Sequence, residues 1–267
     1  MIRAILKRHL PAKSVLQLKR LQQNVRALPW GRSLDRLADI YGTDKNTGHA
    51  YTEHYSRYFS SLKYRRVKLL EIGVGGYERI YDGGASLRMW RRYFVRGEIY
   101  AIDIFDKHHH DERRIKTFRG DQSDRAFLES VAARAGAFHI IIDDGSHRGN
   151  DVITTFEVLF PLMSPEGIYV IEDTQTSYWP ARGGNSEDLN RARTTMNYFK
   201  QRADGLNYRE FMLPGYASSY FDRHIRSIHF YHNMIFVMKG DNTEESNVLV
   251  NNQLPKASKT GLDDHAA

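Results

Sequence analysis

The chain of 267 residues contains no cysteine and has no apolar run of roughly the twenty residues that a membrane-spanning helix needs. Without cysteine it forms neither disulfides nor thiolate metal sites, which fits a reducing compartment such as the cytoplasm. No continuous apolar stretch with a small-residue cleavage site follows the basic residues at the N-terminus, so a secretory signal is not expected. The length fits one large α/β domain with additions.

Acidic residues are missing from the first 34 positions. Of the 39 lysines and arginines in the chain, eight lie in residues 1–34, so 31 remain in the rest of the chain against 32 acidic residues. The net charge of +7 therefore comes from an N-terminal arm. The body lacks the positive excess that is typical of nucleic-acid-binding domains, and no nucleic-acid partner is expected.

The arm also carries aliphatic residues at helical spacing on both sides of Pro11. One interpretation is a basic amphipathic helix that makes peripheral contact with an anionic membrane. The other is a helix packed on the body or on another subunit, and we expect a homo-oligomer. At the opposite end, residues 241–267 are polar and are predicted to be disordered. Residues 35–240 then form the globular domain.

Two short apolar runs in the middle of the chain end in paired carboxylates. FHIIIDDGSH contains Asp143, Asp144 and His147, and GIYVIED ends in Glu172 and Asp173. This pattern is typical of buried parallel strands whose carboxyl ends open onto a polar site. A divalent cation such as Mg²⁺ would offset the repulsion between acids gathered there. The alternative is that single acids cap the helices that follow.

A glycine-rich turn, with Gly73 and Gly75, follows the first predicted strand. Glycine there lets the backbone approach a nucleotide. Glu78 stands where the dinucleotide fingerprint has its third glycine, which argues against a nicotinamide or flavin dinucleotide. The next two predicted strands end in polar residues that suit a ribose and an adenine ring, namely Asp103, Asp121 and Gln122.

Four further segments yield expectations. Residues 37–59, polar and aromatic, form either a lid over a small-molecule site or an ordinary loop and helix. Residues 107–112 contain three consecutive histidines, whose side chains do not converge on one ion, so a solvated loop is expected. Residues 185–204 are expected to form a polar helix. Two β-rich runs around Asn233 predict a closing antiparallel hairpin.

The pattern E-x-G-x-G-G, followed by Asp103 and G-D-Q, resembles the class I S-adenosylmethionine-dependent methyltransferases. More narrowly, IIDDGSH, VIEDTQTSYWP and GTDKNTGHAYT resemble the Mg²⁺-dependent sugar O-methyltransferases of macrolide tailoring, over roughly residues 37–240. The resemblance implies a Rossmann-like α/β fold. Its seven-stranded, mostly parallel sheet would end in an antiparallel hairpin, with helices on both faces.

The resemblance also implies roles for individual residues. It makes Asp144, Glu172 and Asp173 the metal ligands, with Asp144 also catalytic, and His147 the general base. The cofactor contacts it implies are Glu71, Gly73, Gly75, Asp103, Asp121, Gln122 and Asp143, with Lys45 and Tyr51 in a segment covering the cofactor. The aromatic residues of the following loop, Tyr178 and Trp179, are candidates for stacking on a sugar.

The expected activity is therefore methyl transfer from S-adenosylmethionine to a hydroxyl of a glycan, a glycolipid or a glycosylated natural product, assisted by Mg²⁺. Two alternatives stay open: an O-methyltransferase for catechols or other phenols, and a non-catalytic nucleotide-binding assembly module. The related macrolide enzymes carry a long N-terminal auxiliary region where this chain has a short basic arm. The resemblance therefore implies neither the acceptor nor the assembly.

Overall fold

The structure, a computed structural model, describes residues 11–31 and 33–247. The start of the predicted arm and most of the predicted tail lie outside the described residues. The strands are β1 (Lys68–Ile72), β2 (Glu98–Asp103), β3 (Ile115–Arg119), β4 (Ile140–Asp143), β5 (Ile168–Glu172), β6 (Ile225–Tyr231) and β7 (Met234–Lys239). The α-helices are α1 (Ala12–Arg26), α2 (Leu34–Tyr41), α3 (Asp44–Thr47), α4 (Tyr51–Phe59), α5 (Ala85–Tyr93), α6 (Arg125–Ala135), α7 (Gly149–Leu162), α8 (Thr195–Asp204) and α9 (Tyr220–His224).

All seven strands form one sheet in the order β3-β2-β1-β4-β5-β7-β6. Strands β1 to β5 are parallel, whereas β7 runs antiparallel to both β5 and β6. This confirms the predicted fold, including the closing hairpin. The strand order reverses between β1 and β4, and in open α/β sheets ligands bind in the crevice beyond the carboxyl ends of the strands at such a point.

The central strands are buried on both faces, as their continuous apolar sequences predict. Every residue of β4 and β5 is buried. One core cluster joins one face of the sheet to α2, α4 and α5, and a second joins the other face to α6, α7 and α8. Within the described ranges, no helix is both long enough and apolar enough to cross a bilayer.

Two local expectations were wrong in part: half of the helix predicted over 185–204 is present, and His108 and His109 are exposed as expected while His110 is not. The predicted helix over 185–204 begins only at Thr195, because side chains before it bond to nearby backbone instead. The Asn185 side chain accepts hydrogen bonds from the amides of Glu187 and Asp188, which favours turns over helix. The three-histidine segment is a short 3₁₀ turn, His108–His110, in which His110 is buried rather than solvated.

A carboxylate-lined candidate active site

The candidate site lies where β1, β4 and β5 end. The turns after β1 and β4 touch, since the Asp144 amide donates to the Ile72 carbonyl at 3.0 Å. Gly73, at φ +91°, makes this approach possible: a Cβ there would lie 2.1 Å from the Asp144 carbonyl oxygen. Any other side chain at this position would force the two turns apart. The crevice at the reversal of strand order is therefore set by backbone packing.

The inner part of the crevice holds one lysine among three carboxylates. The Lys45 ammonium, on α3, lies 2.6 Å from Glu172 Oε1, 2.7 Å from Asp144 Oδ2 and 3.4 Å from Glu71 Oε1. The Tyr55 hydroxyl also donates to Glu172. Only 1% of Lys45 is exposed. Lys45 and its three carboxylates are called the inner acid cluster below.

The single ammonium of Lys45 does not neutralise the three carboxylates of the inner acid cluster. Burial alone would lower the pKa of Lys45, but Asp144, Glu172 and Glu71 outweigh it and raise that pKa well above its ordinary value. Burial raises the pKa of Glu71 to about 7 and that of Glu172 well above its ordinary range. Lys45 stays charged, and the carboxylates retain capacity for further positive charge.

The outer part of the crevice brings together Asp144, His147 and Asp173. His147 Nε2 lies 3.7 Å from Asp173 Oδ2 and 3.9 Å from Asp144 Oδ1. One ligand atom from each residue falls within 4.8 Å of the others. These three residues are called the outer cluster below. Its side chains are partly exposed, between 19% and 26%, so an acceptor can reach them.

Two members of the outer cluster have an unusual backbone conformation. His147 and Asp173 both adopt positive φ, at 56° and 55°. A non-glycine residue in this region carries strain, and such residues cluster at functional sites. Each lies just beyond the carboxyl end of its strand, β4 or β5, where the turn points the side chain into the crevice.

Tyr51, at the start of α4, and the nearby His49 contact Asp173. The Tyr51 hydroxyl donates to Asp173 Oδ1 at 2.8 Å, and the His49 ring stacks on Tyr51 with its Nε2 3.9 Å from Asp173. Burial opposes ionisation of Asp173, but the hydrogen bond from Tyr51 and the nearby His147 outweigh burial and lower its pKa. Asp173 is therefore held as a carboxylate.

The three predicted metal ligands lie in one crevice but divide between its two parts. Asp144 belongs to both clusters, Asp173 to the outer one and Glu172 to the inner one, where it contacts Lys45 and Tyr55. Carboxylate oxygens are the donors that Mg²⁺ prefers, so the chemistry of this donor set fits a divalent cation. One oxygen each of Asp144 and Glu172 contacts the Lys45 ammonium. The atoms close enough to share one ion belong to Asp144, His147 and Asp173.

The predicted cofactor side of the crevice is formed by the turn after β1 and the end of β2. Gly75 has φ +75°, and nothing lies within 3.9 Å of the position its Cβ would take. Asp103 accepts hydrogen bonds from the Val74 and Phe105 amides, both at 2.9 Å. A carboxylate has about four lone-pair sites, so two remain for ribose hydroxyls. These residues fit a nucleoside cofactor.

Of the other predicted cofactor residues, Asp143 and Gln122 have partners on the opposite side of the sheet, and Asp121 has a local one. The Asp143 carboxylate accepts from Gln122 and from the Tyr169 hydroxyl, both at 3.2 Å. The Gln122 side-chain oxygen in turn accepts from the Ser146 amide at 2.6 Å. Asp121 is exposed and accepts from Ser123. Burial raises the pKa of Asp143 to about 7. Asp143 and Gln122 brace the turn that carries His147, and their contact with a cofactor stays a prediction.

The loop after β5, which contains Tyr178 and Trp179, exposes its aromatic rings to solvent. Tyr178 is 36% exposed and Trp179 is 51% exposed, and both follow Asp173 closely in the chain. The Arg182 guanidinium donates to the Ser146 carbonyl at 3.1 Å, which ties this loop to the turn after β4. Both rings are open to solvent, and their contact with an acceptor stays a prediction.

The sequence did not single out Tyr55 or His49 as site residues. Tyr55 is fully buried and bonds to Glu172, and its position four residues after Tyr51 on α4 places both rings on one helix face. That spacing is the signal that could have found it. His49 lies in a turn and is placed only by its stacking on Tyr51, for which no periodic pattern exists.

No family model matches the sequence. Mycinamicin VI 2''-O-methyltransferase of Micromonospora griseorubida is 46% identical over 213 residues, which cover 79% of this chain and 53% of that protein. Demethylmacrocin O-methyltransferase of Streptomyces fradiae is 46% identical over 215 residues, 79% of this chain and 54% of that protein. The chain thus spans little more than half the length of these relatives.

The same similarity extends to a solved structure. MycE methyltransferase from the mycinamycin biosynthetic pathway, in complex with Mg and SAH, matches with a TM-score of 0.78 at 45% identity. The match covers 80% of this chain and 56% of that one. By sequence identity and by fold, the matched part of the chain is a class I methyltransferase domain and belongs to the family of the macrolide sugar O-methyltransferases.

Proposed function

We propose that this protein transfers a methyl group from S-adenosylmethionine to a sugar hydroxyl, with the help of Mg²⁺, on a glycan, a glycolipid or a glycosylated natural product. The observation that carries the proposal is the outer cluster, in which a partly exposed imidazole lies between two carboxylates at the ends of adjacent strands. The relatives' names support the same chemistry, since both reported relatives are O-methyltransferases, and a third, 44% identical, is named as an O-methyltransferase of a rhamnosyl tetracenomycin.

An alcohol is too weakly acidic to attack a sulfonium methyl group unaided at neutral pH. When bound to Asp144, Glu172 and Asp173, a divalent cation would lower the pKa of a hydroxyl and orient it. His147 Nε2 accepts the proton of the acceptor hydroxyl as that oxygen takes the methyl group from S-adenosylmethionine, whose sulfur–methyl bond breaks with release of S-adenosylhomocysteine. Asp144 and Asp173 flank this nitrogen and stabilise the positive charge that the imidazole gains.

The cofactor supplies the methyl group, and the residues around the turn after β1 would hold it. Gly73 and Gly75 keep that turn free of side chains, and Asp103 presents free lone pairs to a ribose. Lys45 and Tyr51, on α3 and α4, are almost fully buried over the ends of β4 and β5. They exclude water from the inner side of the crevice, where solvent would compete with the acceptor.

The class of acceptor is inferred from the arrangement of the metal ligands and from the aromatic loop after β5. Two adjacent hydroxyls can bind one cation together, so a vicinal diol is the natural acceptor. Tyr178 and Trp179 offer apolar ring faces on which the C–H face of a sugar can pack. We also expect a cytoplasmic protein that forms a homo-oligomer, with residues 35–240 as its catalytic domain; light scattering of the purified chain would measure its assembly.

Acceptor trials test this function. The full chain is incubated with S-adenosylmethionine, Mg²⁺ and either rhamnosyl glycosides or catechols, and mass spectrometry measures the added methyl group. Methylation of glycosides with a vicinal diol, lost in Asp144→Asn and retained in the exposed-site control His108→Ala, is the expected result. Methylation of catechols alone would identify a phenolic O-methyltransferase. Cofactor binding without turnover on any acceptor would favour a non-catalytic module.

A further inference from the structure

Helix α1 packs on the body through its polar face. Gln23 is buried and donates to the carbonyls of Ile40 and Tyr41 at 3.1 and 2.9 Å. On the same face, Arg20 lies 2.8 Å from His110 Nδ1, and Ala27 is fully buried. In a surface helix of a globular protein the apolar stripe normally faces the core. Here hydrogen bonds and an alanine make the contact instead.

Three aliphatic residues in the second half of α1, Leu18, Leu21 and Val25, face away from the body, and Leu28 continues them just after the helix, whereas Val15 and Leu16 are partly buried. The four exposed residues recur at intervals of three and four, so they form one stripe. The stripe and the aromatic residue that follows it are substantially exposed: Leu18 53%, Leu21 62%, Val25 57%, Leu28 62% and Trp30 45%. A continuous exposed stripe of this kind marks an interaction site rather than scattered surface leucines.

A cationic groove continues from the end of this stripe. It has a volume of about 680 Å³, and Val25 and Leu28 form its apolar edge. Its other wall carries Arg91, Arg92 and Arg114, and no acidic side chain lines it among the described residues. Arg92 and Arg114 donate to backbone carbonyls, which leave their charge uncancelled. Arg91 alone has a carboxylate partner, Glu112, at 2.7 Å.

We propose that the stripe of α1 and this groove form a docking surface for an anionic lipid bilayer. Apolar side chains would enter the boundary between headgroups and acyl chains, and the groove arginines would meet lipid phosphates. Lys19 and Arg26, both exposed, flank the stripe on one side of the helix. An amphipathic helix with leucine and tryptophan on one face and basic residues beside it is the pattern that lies in a membrane interface.

Charge argues against a second copy of this chain as the occupant. A symmetric dimer through this surface would bring two identical sets of arginines together. Residues 1–34 carry eight basic residues and no acid, so the arm provides no compensating charge. Each copy would therefore repel the other, whereas an anionic bilayer attracts both the groove and the arm. The proposal is independent of the catalytic one, because none of these residues lies in the candidate site.

Vesicle co-sedimentation of the full chain tests the docking surface. We expect binding to vesicles of phosphatidylcholine mixed with phosphatidylglycerol, much weaker binding to phosphatidylcholine alone, and weakening by salt. The double variant Leu18→Ser/Leu21→Ser should lose about tenfold or more in partition, because both exposed side chains would enter the interface. Lys19→Glu and Arg26→Glu should each lose at least about fivefold on the anionic vesicles.

Matched controls lie on other surfaces. Leu189→Ser removes a leucine that is 57% exposed, and Arg226→Glu reverses an exposed charge on edge strand β6; both should bind as the parent does. Unchanged melting temperatures would show that every variant is folded. Equal partition of the parent into both kinds of vesicle, or no loss in the leucine variant, would overturn the proposal. So would a stable dimer, detected by light scattering, that dissociates in the leucine variant.

Discussion

Asp143 and Asp144 are neighbours in the chain and have opposite surroundings. Asp143 is 1% exposed and accepts hydrogen bonds from Gln122 and Tyr169 on one side of the sheet. Asp144 faces the crevice on the other side, 2.7 Å from the Lys45 ammonium. The difference follows from strand geometry, since successive side chains point to opposite faces. One acid therefore braces the turn after β4, while its neighbour can take part in chemistry.

At the end of β5, by contrast, both acids reach the crevice: buried Glu172 contacts Lys45, and partly exposed Asp173 belongs to the outer cluster. Among these four acids, Asp143 is the one that faces away from the crevice. Substitution of Asp143 should therefore mainly change stability, and substitutions in the outer cluster should mainly change activity. Lys45 contacts an acid from each strand end, and its removal should change both.

The largest expected effect is on turnover, from a substitution in the outer cluster. His147→Ala should lower kcat for methyl transfer by about 10²–10⁴-fold, the usual contribution of a general base. Its melting temperature should stay close to that of the parent, because the side chain is partly exposed and makes long contacts. Steady-state kinetics beside thermal unfolding, with His108→Ala as control, would measure this. Turnover equal to the parent's would remove His147 from the mechanism.

Lys45→Met should destabilise the inner acid cluster. Removing one partner from a buried ion pair typically costs about 3–5 kcal/mol, because the remaining charges are left uncompensated. Denaturant unfolding in the presence of EDTA would measure the free energy of unfolding without a divalent cation. Lys107→Met is the matched control: Lys107 is equally buried but donates only to the carbonyls of Tyr77 and Arg79.

The loss in Lys107→Met should be smaller, about 1–3 kcal/mol, since neutral acceptors are left behind. The pKa of Lys45 is raised in the folded state, so its stabilisation is present below the unfolded value and is lost only at more alkaline pH. Glu71, whose pKa is raised to about 7, loses its proton near neutral pH, so the difference between the two variants should grow as pH rises through 7 and more negative charge is left uncompensated. Equal losses in both variants would show that the carboxylates around Lys45 are not charged.

Asp143→Asn should mainly lower stability. The amide brings a donor to a position surrounded by donors, and an unsatisfied buried group costs about 1–3 kcal/mol. The parent's Asp143 has its pKa raised to about 7, so its favourable contribution is present below the unfolded pKa and is lost as pH rises through 7. The gap in unfolding free energy between parent and variant should narrow accordingly. A loss of turnover as large as that of Asp144→Asn would contradict the different roles assigned to Asp143 and Asp144.

Trp179→Ala should have the smallest effect and should act on the acceptor alone. Loss of ring contact typically costs about 0.5–1.5 kcal/mol, which corresponds to a rise of about 2- to 12-fold in KM for the glycoside. The cofactor's KM and the melting temperature should not change, since the ring is exposed. Trp30→Ala, at a similarly exposed tryptophan on another surface, serves as control. Identical KM values would place the acceptor elsewhere.

The sequence predicts the sheet and the position of the crevice because both depend on local patterns. Apolar runs that end in acids mark β4 and β5, and parallel strands bring their ends together. The direction of each acid within a pair was not predicted, since it depends on where the strand ends. The position of Lys45 among three carboxylates also depends on distant chain segments: it lies 99 residues from Asp144 and 127 from Glu172.

Local side-chain chemistry accounts for the other differences. Residues 185–194 were predicted as the first half of a polar helix, yet Asn185 and Asp188 accept hydrogen bonds from amides two or three residues ahead and form turns. His110 appeared to belong to a charged, solvated loop, but it packs between α1 and the turn before α5. No periodic pattern in the sequence predicts either arrangement. Each depends on hydrogen bonds that can be assigned only in the folded structure.

The most direct test of the central claim is turnover after removal of divalent cations. The parent enzyme is dialysed against EDTA, and methyl transfer to a vicinal-diol glycoside is measured before and after Mg²⁺ is restored. The carboxylates at the ends of β4 and β5 predict that turnover disappears with EDTA and returns with Mg²⁺ in the parent, and returns only partly, with excess Mg²⁺, in Asp144→Asn. Full turnover in EDTA would contradict a metal-assisted reaction at this site.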